Sequence, residues 1–167
     1  MRSLDRVHAH VRTRFIFHLE DDWEFDGQGG FIEASIQVLN ANTDCFQVHL
    51  RSRDKSQHPA HSTLFHTSGE QGSVEYRRLV MGWYASHQSL MWHGFSLGPG
   101  LRRLAHIRAL GSMEALGSEL GAQARFKRLG LWSAALEHGV IDHIGDDLSR
   151  RLEWEEASSA TTTRLGL

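Results

Sequence analysis

The sequence predicts an α/β domain, and three observations carry that expectation. Apolar residues at helical spacing in "SLDRVHAHVRT" precede the aromatic and branched run "RFIFHLE". A second helical stretch, "FIEASIQVLNAN", leads into "CFQVHL", so a helix joins two strands in the manner of an α/β crossover. The apolar share, 40% of 167 residues, is enough for one core of sheet and helix.

Each element follows from its own pattern. Leu4, Val7 and Val11 share one face of the first helix, and Phe15, Ile16, Phe17 and Leu19 are expected to point into a core. After the turn-rich "DGQGG", Ile32, Ile36 and Leu39 line the second helix, and Phe46, Val48 and Leu50 alternate as in a strand. Residues 51–78 are polar without a sustained period and read as a long loop or a weak hairpin insertion. Gly98-Pro99-Gly100 enforces a turn, either a bend at a ligand site or a plain connector, before "LRRLAHIRAL", a short helix. The helix in "SELGAQARFKRLG" starts after Ser118, a good N-cap, and stops at Gly130. Two short strands follow about the "EHG" turn, ending at His143. Residues 1–155 are expected to form a single domain, and the small polar segment 156–167 a frayed tail.

Composition narrows the function classes. A net charge of −2 and a pI near 6.6 give no basic stripe for a nucleic acid or an anionic membrane. The lone Cys45 rules out an intramolecular disulfide and, inside "CFQVHL", reads as a small buried strand residue. No run approaches the roughly 20 apolar residues of a membrane span, and the charged N-terminus lacks the apolar centre of a signal peptide. Twelve histidines are dispersed, without C-x-x-C or H-E-x-x-H to mark a zinc site.

The most informative stretch is "RFIFHLEDDWEF", where the apolar run ends in Glu20, Asp21 and Asp22. Adjacent like charges repel and are best tolerated where water or a cation offsets them. Two readings stand: a site for a metal or a phosphate-bearing ligand, or a solvated strand end that caps a nearby helix.

A strand ending in "HLEDDWEF", then "GFSLGPGLRR", "GSELGAQARFKRLG" and "VIDHIG", in that order over residues 14–145, resembles the catalytic half of bacterial family 2 glycosyltransferases with the GT-A nucleotide-sugar fold. The resemblance implies a Rossmann-like mixed sheet flanked by helices and an inverting, metal-dependent transfer of a sugar from a nucleotide-diphospho-sugar to a glycan or other hydroxyl acceptor. It implies Glu20, Asp21 and Asp22 as the DxD-type motif that holds Mn2+ or Mg2+, with Asp22 as the most direct ligand and His143 as a further one. Asp142 and Asp146 are neighbouring alternatives to His143. It implies Glu119 as the base that takes the acceptor proton, with Glu114 in its place under a different register. Trp92, Phe95, Gly98, Pro99 and Gly100 match the acceptor-side segment, where an aromatic face suits a sugar ring, although Trp92 could equally be core. Assembly of polysaccharide or cell-surface glycan in the cytoplasm, including at the inner face of the membrane, is the family-level expectation.

The resemblance omits the family's first strands, which hold the base and ribose. Three explanations are open: a fragment of a longer transferase, which is favoured, a degenerate copy, or a chain that completes its site by homo-oligomerising. In each, the strand "FIFHLE" is expected to leave an edge for a partner to cover. Rival functions are a non-catalytic binding or assembly module and a metal-dependent hydrolase using Asp22, His143 and a water.

Overall fold

The computed structural model describes residues 2–25, 29–50, 62–69, 72–79, 82–83 and 91–144. The expectations for residues 51–61, for Asp146 and for the tail at 156–167 lie outside them.

The fold is mixed α/β. A six-stranded sheet has the order β1-β8-β3-β9-β5-β4. Its strands are β1 (Phe15–His18), β3 (Cys45–His49), β4 (Ser62–Gly69), β5 (Gly72–Leu79), β8 (Gly100–Arg103) and β9 (Trp132–Leu136). Two small ribbons accompany it: β2 (Trp23–Phe25) with β10 (Ile141–His143), and β6 (Gly82–Trp83) with β7 (Met91–Trp92). The helices are α1 (Arg2–His10), α2 (Phe31–Ala41), α3 (Leu104–Leu110), α4 (Met113–Leu116) and α5 (Glu119–Arg128).

The predicted crossover is present in a split form. β8 lies antiparallel between β1 and β3, so these two run parallel with a strand inserted between them. β3 pairs parallel with β9, and the C-terminal ends of β1, β3 and β9 therefore share one rim of the sheet. Ligands of open α/β sheets bind outside such strand ends. Gly100, at the start of β8, faces both His18 and His49 at that rim. A Cβ on Gly100 would stand 2.6 Å from the Val48 carbonyl oxygen, so the packing of three strands there requires glycine.

The core has two parts, one on each face of the sheet. Val38, Leu39, Val48, Leu101, Ala134 and Ile141 bring together α2, the sheet and the β2–β10 ribbon, with Phe15 and Phe17 packed against them. Phe46, Phe95, Leu104, Ile107, Met113 and Phe126 join the sheet to α3, α4 and α5, with Ile16 packed against them. Phe15, Ile16 and Phe17 thus alternate between faces with the two-residue period of a strand. Phe46 and Val48 do not follow the simple alternation expected of them, because the register with β9 shifts between Cys45 and Gln47 and turns Phe46 to the face covered by α3, α4 and α5.

Other differences have local causes. Leu19 is 44% exposed, because β1 ends at His18 and the chain turns out into the acidic segment. Val7 is 54% exposed, and the buried residue of α1 is His8. That helix is held by polar contacts instead: Asp5 accepts hydrogen bonds from the Ser112 hydroxyl and from the Met113 and Glu114 amides at the start of α4. Of the two expectations for the polar stretch, the hairpin is the one found: Ser62–Gly69 and Gly72–Leu79 pair antiparallel and join the main sheet through β5 and β9. Gly100–Arg103, read as turn and helix start, is a buried strand. Cys45 is fully buried as expected, and burial pushes its thiol up to about 12.

Candidate active site at the strand ends

The acidic segment begins directly after β1 on the shared rim. Glu20 and Asp21 are exposed, while Asp22 is half-buried. Two short strands fix this segment against the C-terminal part of the chain. Trp23 pairs with His143 and Glu24 with Asp142 in the β2–β10 ribbon, and the Ile144 amide donates to the Asp22 carbonyl at 2.9 Å. The sequence placed Asp22 and His143 about 120 residues apart along the chain; the ribbon sets their backbones side by side. The imidazole of His143 lies outside the described side chains.

Glu20 shows the electrostatics of the rim. Although the residue is exposed overall, partial loss of solvent around its carboxyl pushes it above its ordinary range, against a hydrogen bond from the Trp23 indole at 3.3 Å. Asp22 and Glu119 raise it further through their negative charge, and the Arg102 guanidinium opposes them. A cation bound among these carboxylates would reverse the upward direction, and hard oxygen donors suit Mg2+ or Mn2+. Among the described residues no three or more His, Cys, Asp or Glu side chains are gathered into a metal-holding group.

Glu119 sits at the first turn of α5, whose N-cap Ser118 accepts from the Gly121 amide at 3.2 Å. The Glu119 side chain is exposed, and its Oε1 accepts the Leu97 amide at 2.6 Å. The carboxylate is therefore oriented toward the segment that leads into the Gly98-Pro99-Gly100 turn. Glu114 lies elsewhere: the Arg2 guanidinium donates to it at 2.7 Å on the α1–α4 surface. Of the two glutamates expected as base, Glu119 is the one hydrogen-bonded to the segment before the Gly98-Pro99-Gly100 turn.

The acceptor-side residues divide. Phe95 is corrected from sugar contact to core: it is 1% exposed, and its ring packs at 5.6 Å against Phe46 and at 6.2 Å against Phe126. A ring buried to this degree leaves no face on which a sugar could stack. Pro99 and Gly100 are buried and shape the rim, while Ser96, Leu97 and Gly98 are partly accessible. The backbone of Trp92 belongs to the β6–β7 ribbon, and its indole lies outside the described side chains.

Sequence reasoning missed the polar residues beneath this rim. Arg102 is 2% exposed, and burial lowers its guanidinium to about 10 against the opposing charges of Glu20 and Glu119. Its Nε donates to Gln47 Oε1 at 3.0 Å, and Nη2 donates to the Ser96 and Gly98 carbonyls at 3.0 and 2.8 Å. His18, also near Arg102, is held down to about 4 by burial and by the positive charges of Arg102 and His8. The available signal was Gln47 and His49 within "CFQVHL": polar residues in a fully buried strand need partners.

Comparison with family models, curated proteins and solved structures finds no match to the chain. The chemistry of the rim therefore rests on its own residues. Among the described residues no helix is long and apolar enough to cross a membrane.

Proposed function

We propose that the chain is a glycosyltransferase unit of the family 2 type, which moves a sugar from a nucleotide-diphospho-sugar to a hydroxyl acceptor with inversion. The supporting observation is convergence. The strand bearing His143 pairs beside the acidic segment that follows β1, and Glu119 at the head of α5 accepts the amide of Leu97 in the segment that enters β8.

In this reading Asp22, with Glu20, Asp21 and His143, holds Mn2+ or Mg2+. The cation, when bound, offsets negative charge on a departing nucleoside diphosphate. Glu119 takes the proton from the acceptor hydroxyl, oriented for that work by the Leu97 amide. The cytoplasm supplies the nucleotide-sugar and suits the reduced, buried Cys45.

Calorimetric titration of the chain with Mn2+, alone and with UDP, tests the reading. Weak Mn2+ binding that Asp22→Ala reduces by about tenfold is expected, in keeping with the loss of one ligand from a partly hydrated site. Equal binding by the two proteins would overturn it.

One observation favours a second reading, an assembly module. Among the described residues β1 pairs only with β8, which leaves its other edge open to a further strand from a partner or a second copy. Under that reading Asp22→Ala leaves ligand binding unchanged and alters the sedimentation behaviour.

A further inference from the structure

The segment from His93 to Gly98 lies between the β6–β7 ribbon and β8, and side chains from beneath the rim take up its main-chain polar groups. Gln123 of α5 accepts the His93 and Phe95 amides on Oε1 at 2.8 and 3.4 Å and donates from Nε2 to the Phe95 carbonyl at 2.5 Å. Gln47 Nε2 donates to the Gly94 carbonyl at 3.2 Å. Glu119 accepts the Leu97 amide, and the Ser96 hydroxyl accepts the Gly98 amide at 3.0 Å. Arg102 closes the set on the Ser96 and Gly98 carbonyls.

Buried backbone groups must find partners, and a loop usually finds them in water. Here five side chains from β3, β8 and α5, with His49 Nε2 3.3 Å from the Gly94 carbonyl as the fifth, meet main-chain groups along the segment. Gln123 and Gln47 are 5% and 0% exposed, so their bonds form in a low-dielectric interior where an unmade bond is costly. Gly94 adds a left-handed backbone, φ 100°, that bends the chain toward these partners.

We propose that Gln123 and Arg102 are positioning residues that hold segment 93–98 as a preformed wall of the strand-end site, fixed before any ligand arrives. The substrate contacts fall to Ser96, Leu97 and Gly98, the accessible part of the wall, while the residues beneath set their geometry. This deepens the transferase reading and rests on it for the identity of the ligand, but the rigidity of the wall is a property of the chain alone.

Amide hydrogen exchange resolved by residue, without ligand and then with Mn2+ and UDP, tests it. In the wild type the amides of His93, Phe95 and Leu97 are expected to be protected without ligand and to change less than about threefold on its addition. Gln123→Ala should speed exchange at His93 and Phe95 by about tenfold or more, the equivalent of one lost hydrogen bond, with Val48 and Ala134 in the sheet within about threefold. Gln123→Glu keeps the acceptor for the two amides but loses the donor to the Phe95 carbonyl, so it should recover protection at His93 and Phe95 only in part. Arg102→Lys, unable to span Gln47, Ser96 and Gly98 together, should speed Leu97 and Gly98 selectively. Rapid exchange of the wild-type segment without ligand, or loss of protection in the variants that spreads evenly to Val48, overturns the proposal. Because these readouts need no turnover, a chain that fails to bind Mn2+ would count against the transferase reading and leave the wall measurable.

Discussion

Trp23 and His143 stand opposite each other in the β2–β10 ribbon, and the next amide, that of Ile144, donates to the Asp22 carbonyl. This pairing brings the acidic segment and the histidine strand together, and it yields the most direct test of a shared cation. An imidazole nitrogen is a softer donor than a carboxylate and suits manganese better than magnesium. His143→Ala is therefore expected to weaken Mn2+ binding by about tenfold and Mg2+ binding by less than about threefold. Equal losses for the two ions, or none for either, remove His143 from the ligand set.

Glu119 offers a separation of chemistry from structure. Glu119→Gln keeps an oxygen that can accept the Leu97 amide but cannot take a proton at neutral pH. With a nucleotide-sugar and an acceptor identified by screening, transfer should fall by about 100-fold or more while the melting temperature stays unchanged. Glu114→Gln, which touches only the surface pair with Arg2, should retain transfer. A reversal of these two results would move the base to Glu114.

Gly100 is where three strands meet at the rim. An alanine there sets its Cβ 2.6 Å from the Val48 carbonyl oxygen, a backbone atom that cannot swing aside. Chemical denaturation of Gly100→Ala should show a loss of about 1–3 kcal/mol. A variant as stable as the wild type would mean that β1, β8 and β3 are spaced more loosely than described.

Acid should destabilise the protein through its histidines. The imidazole of His18 has an ordinary value of 6.5 and is held at about 4 in the fold by burial, Arg102 and His8. Between those values the unfolded chain binds a proton that the folded chain refuses, so the stabilisation is whole above about pH 6.5 and declines toward pH 4. His8, His93 and His106 are lowered as well and act in the same direction. Since His18 is only partly buried, its own share is about 1 kcal/mol after allowance for solvent screening. Thermal melts from pH 7.5 to 4.5 should show His18→Asn with a shallower decline than the wild type. Parallel curves would disprove the assignment to His18.

The local elements were readable because their signals are local. Ser118 and Gly130 bracket α5 by their capping chemistry, and the aromatic, branched content of "FIFH" marks β1 without reference to anything distant. The strand at Gly100–Arg103 was obscured by its arginines, which look solvated in a sequence. Both are buried: Arg102 over Gln47, and Arg103 donating to the Leu39 and Asn42 carbonyls. Phe95 misled for the opposite reason, since an aromatic beside a glycine turn fits a sugar-binding face and a core equally well until its neighbours are known.

By itself the sequence determined the α/β class, the positions of the main helices, and the acidic run that follows the first strand, because periodicity, caps and charge act over a few residues. Only the tertiary structure decided that β8 inserts between β1 and β3, that His143 meets the acidic segment, and that Gln47, Arg102, Glu119 and Gln123 grip one short stretch of backbone. Most of these relationships join residues tens of positions apart. They arise from which strand edges pair and which polar groups are buried together, and both are settled by packing across the whole chain.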